Sequence, residues 1–254
     1  MQSQLPALAA HGIVPFALSY DAVATLETFA AAHGITYPLL SDEGSAFIRT
    51  LGILNESVLP TDDHHGIPYP GVYFIAADGR VEDKVFHATH RTRDAAATIL
   101  REYFGLAEVG DGPHDRQATD TLVAVAALDS ATFVRGERVG LRVTIALAPG
   151  VHTYGKPLPD GYIPTTLTVH GPDTIAVEPV VYPPTRPFRA DWLDEELPSY
   201  TGQVTLTTAI VFTAQSEDIT LTATLRFQAC TTEECFIPEQ LSFTLPLQFH
   251  AFPS

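Results

Sequence analysis

Cysteine is almost absent: the chain of 254 residues holds two, Cys230 and Cys235, and none before them. That excludes the disulfide framework of small secreted domains, and it excludes a cysteine-built metal centre in the first half. Basic residues are also scarce, 14 against 30 acidic ones, for a formal net charge of -16. The imbalance is spread evenly, with 6 basic and 14 acidic groups in residues 1–113 and 8 and 16 in the remainder. With no basic patch, neither nucleic acid nor anionic lipid is an expected partner. Long apolar runs are missing too: none approaches the ~20 residues of a membrane span. The opening MQSQLPALAAHG has neither the charged nor the apolar region of a signal peptide. We therefore expect no membrane insertion and no export signal in the chain. What is plentiful is apolar side chain, 45% of residues, enough for packed cores in one large domain or two ordinary ones.

The cysteines sit between two runs of strand periodicity. Before them, Leu221, Ala223, Leu225 and Phe227 alternate with polar residues; after them Leu241, Phe243, Leu245, Leu247 and Phe249 do the same. A short polar turn, Thr231 to Glu234, joins the two, with Pro238 bending the return limb. Cysteines where adjacent strands meet lie within bridging range. A structural staple, a redox-active pair and a metal site or free thiols are the three readings. Energetics weigh against the staple: a ring of about six residues stabilises by roughly 2 kcal/mol, against about 4.7 for a hundred-residue loop. Two thiolates are too few ligands for a metal, and no His or Cys follows at finger spacing. A tight, turn-closing pair suits opening and closing best.

The run FQACTTEECFIPEQLSFTLPL resembles the cysteine hairpin of the amino-terminal domain of the thiol:disulfide interchange protein DsbD: an aromatic, Gln, a small residue, Cys, a short polar gap, Cys, an aromatic, then Pro. The likeness extends upstream through GVHTYGKPLPDGYIPTTLTV and VVYPPTRPFRADWLDEELPSYTGQVTLTTAIVF, over roughly residues 120–250. It implies an all-β immunoglobulin-like sandwich in which Cys230 and Cys235 are the exchanging pair. It places His152 and Tyr154 as flanking residues on a neighbouring strand, with His152 where a tyrosine is expected. A histidine there, if charged, lowers a thiol pKa; the plainer alternative is a partly exposed strand-end residue. The same likeness places Trp192, Leu193, Asp194, Glu195, Glu196 and Leu197 in a cap over the pair, the apolar members shielding it and the acidic ones disfavouring thiolate.

The first half alternates helix and strand. IVPFALSY (13–20) is a short apolar run; Asp21 is placed to cap the helix AVATLETFAAAHG, which Gly34 stops. ITYPLL follows, then a helix near Glu43 to Leu51. The polar loop 55–69 contains Asp62, Asp63, His64 and His65, which we expect to be solvated because four consecutive residues cannot converge on one ion. GVYFIAADGRVEDKVF reads as a hairpin turning at Asp78-Gly79, with His87 and His90 after it facing solvent, and a helix from about Thr92 to Phe104 closes the unit. The segments ALSYD, HGITYPLLSD, LGI and IPYPGVYFIAADGRV resemble the thioredoxin-like redoxins, in particular the AhpC/TSA-type antioxidant family. That resemblance implies a cis bond before Pro70. It also implies a nucleophilic cysteine at the start of a first helix, after a first strand, and neither is present. We expect a redoxin domain without its first strand and inactive as a peroxidase, amino-terminally truncated rather than a catalytically dead scaffold.

LAEVGDGPHDRQATD (106–120) lacks apolar periodicity and reads as a linker. Beyond it, 122–129, 137–148, 165–171, 177–183 and 203–212 read as short strands leading to the cysteine hairpin. The expected organisation is therefore an incomplete thioredoxin-like α/β domain (1–105), a linker (106–120) and an immunoglobulin-like β-sandwich (121–252). The expected function is thiol:disulfide exchange, passing electrons to or from a redox partner, a thioredoxin-like protein or a membrane thiol:disulfide carrier, without cofactor or metal. The family and disulfide use point to the periplasm. The alternatives are a non-enzymatic binding module with a structural disulfide, or a fragment of a longer thiol peroxidase.

Overall fold

A computed structural model describes residues 1–87, 91–106, 110–189, 196–214 and 216–251. The chain divides into two compact units, Met1–Ala96 and Ala97–Ser254. The first is a small α/β region. After a turn of 3-10 helix at Gln2–Gln4 come α1 (Leu5–Ala10), β1 (Ala17–Ser19), α2 (Val23–His33), β2 (Leu39–Ser41), α3 (Ala46–Thr50), the hairpin β3 (Gly71–Ile75) and β4 (Val81–Phe86), and β5 (Arg93–Asp94).

Local chemistry explains these elements, not always through the expected residue. Gly34 ends α2 in the left-handed conformation, φ 60°, where a side chain is disfavoured. Ala22, not Asp21, is the N-cap of α2; the Asp21 carboxylate instead accepts from the Ser19 hydroxyl. Asp42 is the carboxylate that serves a helix start, accepting from Phe47 N at 3.1 Å and Ile48 N at 2.7 Å in α3. Asp78-Gly79 turns the β3–β4 hairpin as expected, with Arg80 N donating to Asp78 Oδ1 at 3.1 Å.

Two expectations for this unit are corrected. Among the described residues the cis peptide bond is Lys156–Pro157, and the bond before Pro70 is trans. Trans is the ordinary preference of an X–Pro bond, and Tyr69 N is already tied to Ile53 O at 2.7 Å on the approach to β3. His87 does not simply face solvent: its Nε2 meets the buried Asp94 carboxylate at 2.9 Å. His90 lies outside the described residues. The strands form two separate pairs, β1 with β2 in parallel and β3 with β4 antiparallel, rather than one sheet. Pairs that short shield little. Leu8, Leu26, Ile48 and Val85 are buried, while Val14, Phe16, Leu40, Phe47 and Ile75 stay exposed.

The second unit is an immunoglobulin-like β domain preceded by α4 (Ala96–Phe104). Its strands are β6 (His114–Ala118), β7 (Leu122–Leu128), β8 (Thr132–Phe133), β9 (Glu137–Leu147), β10 (His152–Tyr154), β11 (Thr166–His170), β12 (Ile175–Val177), β13 (Arg186–Phe188), β14 (Leu197–Thr201), β15 (Gln203–Phe212), β16 (Ile219–Phe227), β17 (Ala229–Cys230) and β18 (Glu239–Phe249). One sheet runs β12–β15–β9–β7–β6, a second β11–β16–β18–β8, and a third β13–β14–β10–β17. Alternation dictates the core: Leu122, Ala124, Ala126 and Leu128 of β7 and Leu221, Ala223, Leu225 and Phe227 of β16 are all buried. Phe133 of the second sheet stacks on Phe212 of the first, ring centres 4.1 Å apart.

Three boundaries differ from the sequence reading. The helix expected to close the first unit falls, from Ala97 on, in the second. Residues 114–118, read as linker, form strand β6 on β7. The run 177–183 is no strand: β12 ends at Val177, and Val181 makes only an isolated bridge to Thr207. Prolines in that segment lack the donors a ladder requires. Among the described residues no helix is long and apolar enough to cross a membrane.

A buried ionic knot ties α4 to the domain. The Asp129 side chain, 0% exposed, takes Arg101 Nε and Arg142 Nη1, each at 3.0 Å. Gly140 makes room, since a Cβ there would lie 2.1 Å from both Asp129 Oδ2 and Arg101 Nη2. Removing one partner of a buried pair leaves charge uncompensated. Asp129→Ala is therefore expected to lower stability by about 3–5 kcal/mol, read as a lower urea midpoint at unchanged slope. A loss below about 1 kcal/mol, the range of surface pairs, would show that the knot is effectively solvated.

Candidate functional site

The cysteines do not sit within the ladder of their flanking strands. β16 and β18 pair in antiparallel register as far as Phe227↔Glu239, and residues 228–238 leave that ladder as an excursion. Its outgoing limb, β17, adds to the edge of the third sheet, with Ala229 opposite Thr153 and Cys230 opposite His152. The return limb folds back on it: Phe236 N donates to Ala229 O and Thr231 N to Glu234 O, both at 2.8 Å. The Thr231 hydroxyl accepts from Glu233 N and Glu234 N, and Gln228 Nε2 donates to Phe236 O at 3.0 Å. This turn holds Cys230 and Cys235 in an isolated antiparallel bridge, Cα atoms 4.0 Å apart and joined by a disulfide.

The two sulfurs have unequal surroundings. Cys230 is 0% exposed, packed with Tyr154 and Leu197 and flanked by Leu158, Tyr162 and Phe188. Cys235 is exposed. The register explains the packing. Residues directly opposite in an antiparallel ladder share a face, as do residues two apart in a strand. The pairs Phe188↔Leu197, Tyr154↔Ser199 and His152↔Cys230 therefore bring Phe188, Leu197, Tyr154, His152 and Cys230 onto one face.

Of the residues expected around the pair, Tyr154 and His152 are there. Tyr154 is fully buried and its hydroxyl lies 3.8 Å from Cys235 Sγ; a disulfide sulfur carries no hydrogen, so the tyrosine donates. Burial, with a smaller contribution from Tyr162, raises its pKa, which keeps that proton in place. His152 is not a partly exposed strand end. It is 2% exposed, stacked on Phe188 at 3.7 Å and edge-on to Tyr154 at 5.2 Å. Nor is it a charged neighbour that acidifies a thiol, because burial lowers its pKa and favours the neutral ring. Its Nε2 is enclosed without a hydrogen-bond partner among the described residues, a condition that costs about 1–3 kcal/mol.

Trp192, Leu193, Asp194 and Glu195 of the expected cap lie outside the described residues. Leu197 packs in the Cys230 cluster. Glu196 is exposed and, with Leu158, Leu197 and several prolines, lines an open groove of about 540 Å³ beside it. The sequence reading missed Leu158, Tyr162 and Phe188; they come from separate loops and an edge strand too short to show a period. In the first unit, His65 Nδ1 lies 3.3 Å from Val58 O.

A β-sandwich whose disulfide sits on an excursion between sheets defines the class: an immunoglobulin-like domain with one sulfur of a tight pair at its surface. Residues 119–247, half of the chain, match the family model for the thiol:disulfide interchange protein DsbD, N-terminal, and the chain belongs to that family. Residues 1–84 match the AhpC/TSA family. No curated protein matches. Among solved structures, the chain is similar to the N-terminal periplasmic domain of ScsB from Proteus mirabilis, at 17% identity and TM-score 0.39, over 53% of this chain and 51% of that one. It thus spans about half the length of that structure. It is also similar to the reduced DsbD N-terminal domain of Neisseria meningitidis, at 14% identity and TM-score 0.30, over 43% and 78% of the two chains. A third is the complex between the DsbD and PilB N-terminal domains from the same organism, at 15% identity and TM-score 0.30, over 41% and 73%.

The buried imidazole makes stability depend on pH. The unfolded chain protonates this histidine near pH 6.5, whereas burial holds the folded pKa lower. Stability present above about pH 6.5 is lost as the pH falls towards the folded pKa, and the loss levels off below it. His152→Phe is expected to flatten this part of a stability–pH profile between pH 7 and 5, measured by urea unfolding with the disulfide intact. An unchanged slope would place the imidazole in water.

Proposed function

We propose that the Cys230/Cys235 pair exchanges disulfide for dithiol with a partner redox protein, and that Cys235 is the sulfur attacked. The observation that carries this is the unequal exposure of the two sulfurs, buried at Cys230 and open at Cys235. A partner thiolate attacks Cys235 Sγ, the S–S bond breaks, and Cys230 leaves with the electron pair. A second partner thiolate then attacks the partner's sulfur in the mixed disulfide and releases Cys235 as thiolate. The partner ends as a disulfide and this chain as a dithiol; the reverse sequence runs the electrons the other way. Such a partner needs two neighbouring thiols, which suits a thioredoxin-like protein or a membrane thiol:disulfide carrier. Ile237, 84% exposed two residues beyond Cys235, offers the apolar contact that would seat it. Family membership supports an extracytoplasmic setting, where a disulfide persists. Of the expected cap, Leu197 packs on Cys230, and a partner reaching that sulfur would have to displace it.

The first unit contributes no thiol chemistry of its own, having no cysteine. Two measurements test this function. With a thioredoxin-like protein whose second active-site cysteine is replaced by Ser and whose first is activated as a mixed disulfide with thionitrobenzoate, Cys230→Ser should form a trapped mixed disulfide through Cys235, because neither protein keeps a thiol to resolve it, and Cys235→Ser should trap far less. Equal trapping by both variants, or by neither, would refute the assignment. The protein carrying both Cys230→Ser and Cys235→Ser should consume no hydroperoxide; turnover by that variant would show peroxidase chemistry in a unit without thiols.

A further inference from the structure

One polar atom at the site has no use while the disulfide is closed. His152 Nε2 is enclosed and has no hydrogen-bond partner among the described residues, and His152 stands directly opposite Cys230 in the β10–β17 ladder. Opposed residues project to the same face with Cβ atoms about 4.5–5.5 Å apart, so the imidazole and the Cys230 sulfur stand side by side on one face of the sheet. Phe188 stacked on the ring and Tyr154 against its edge hold it there. The other buried atoms without partners are poorly placed: Thr153 Oγ1 belongs to the neighbouring position of β10, whose side chain points to the opposite face, and Thr165 lies outside the strand. The Tyr154 hydroxyl is at Cys235.

We propose that His152 is a positioning residue for the exchange, its Nε2–H donating to the Cys230 sulfur once the disulfide opens. This rests on the exchange reading above. When a partner thiolate bonds to Cys235 Sγ, the electron pair of the broken S–S bond stays on Cys230 Sγ. No proton moves in that step, and the thiolate forms where Cys230 is 0% exposed, without water to solvate it. A hydrogen bond to an ionised acceptor is stronger than a neutral one, and in a dry site it is stronger still. Burial favours the neutral ring, whose single N–H, which we place on Nε2, is not transferred in this step; solvent protonates the thiolate later. The closed disulfide leaves Nε2 unpaired and the open one pairs it. His152 therefore favours the reduced form and makes Cys230 a better leaving group.

The test uses the whole chain as wild type, His152→Phe, which keeps the ring stacked but removes the donor, and His152→Gln, which keeps an amide donor. Each is equilibrated with dithiothreitol, a reductant strong enough to give a potential for a labile or a structural disulfide. His152→Phe should be about tenfold harder to reduce, about 30 mV more negative, and His152→Gln should recover most of that loss. Identical equilibrium constants for wild type and His152→Phe would overturn the proposal. Should His152→Phe fail to fold, ¹⁵N spectra of the wild-type imidazole decide: the Nε2 resonance should move on reduction of the pair, and an unmoved resonance would overturn it. A His152-dependent potential in a protein that never exchanges with a thioredoxin-like partner would defeat the exchange reading and keep the hydrogen bond. Normal exchange indifferent to His152 would do the reverse.

Discussion

The site depends on one short ladder, in which Ala229 and Cys230 add to the edge of β10 opposite Thr153 and His152. Without it, the excursion 228–238 would be a loop beyond the β16–β18 ladder, with both sulfurs in water. With it, the first sulfur is drawn beneath Tyr154 and Leu197, while the return limb keeps the second outside. A two-residue strand is a weak element by itself. The tight turn, held by Thr231, and the aromatic face formed by Phe188, Tyr154 and Tyr162 make it persist.

The fold gains little from the disulfide. Closing a ring of about six residues restricts the unfolded chain by roughly 2 kcal/mol, whereas the alternating apolar residues of β7, β9, β15, β16 and β18 supply a continuous buried core. Opening the pair therefore leaves the domain standing, which an exchanging disulfide requires and a staple does not. The first unit contrasts with this. Its two separate strand pairs bury few large side chains and leave Val14, Phe16, Phe47 and Ile75 exposed, and it carries no thiol.

Much of this was legible in the sequence where a strong period or a specific motif existed. The alternation of β7, β9, β15, β16 and β18 showed as strands because one face of each packs on the core. The cysteine motif, with GVHTYG and its likeness to a known family, located the pair, His152 and Tyr154. What was hidden has physical causes. That Cys230 leaves its own hairpin for another sheet is a tertiary choice, invisible to period. Phe188 and Tyr162 reach the site from segments full of proline and glycine, where no alternation marks a face. The burial of His152 follows from its cross-strand partner, and a three-residue strand gives no warning of it. The bond before Pro70 is trans where the redoxin resemblance implied cis, and trans is the ordinary preference of an X–Pro bond.

The most direct measurement is the equilibrium of the whole protein with glutathione across a range of poises, following the Cys230–Cys235 bond by mass after alkylation. An exchange-active pair gives a reduction potential above about -300 mV and a dithiol that the oxidised glutathione pool recloses. A potential well below about -300 mV, with no mixed disulfide at Cys235 at any poise, would contradict exchange and leave a structural bond.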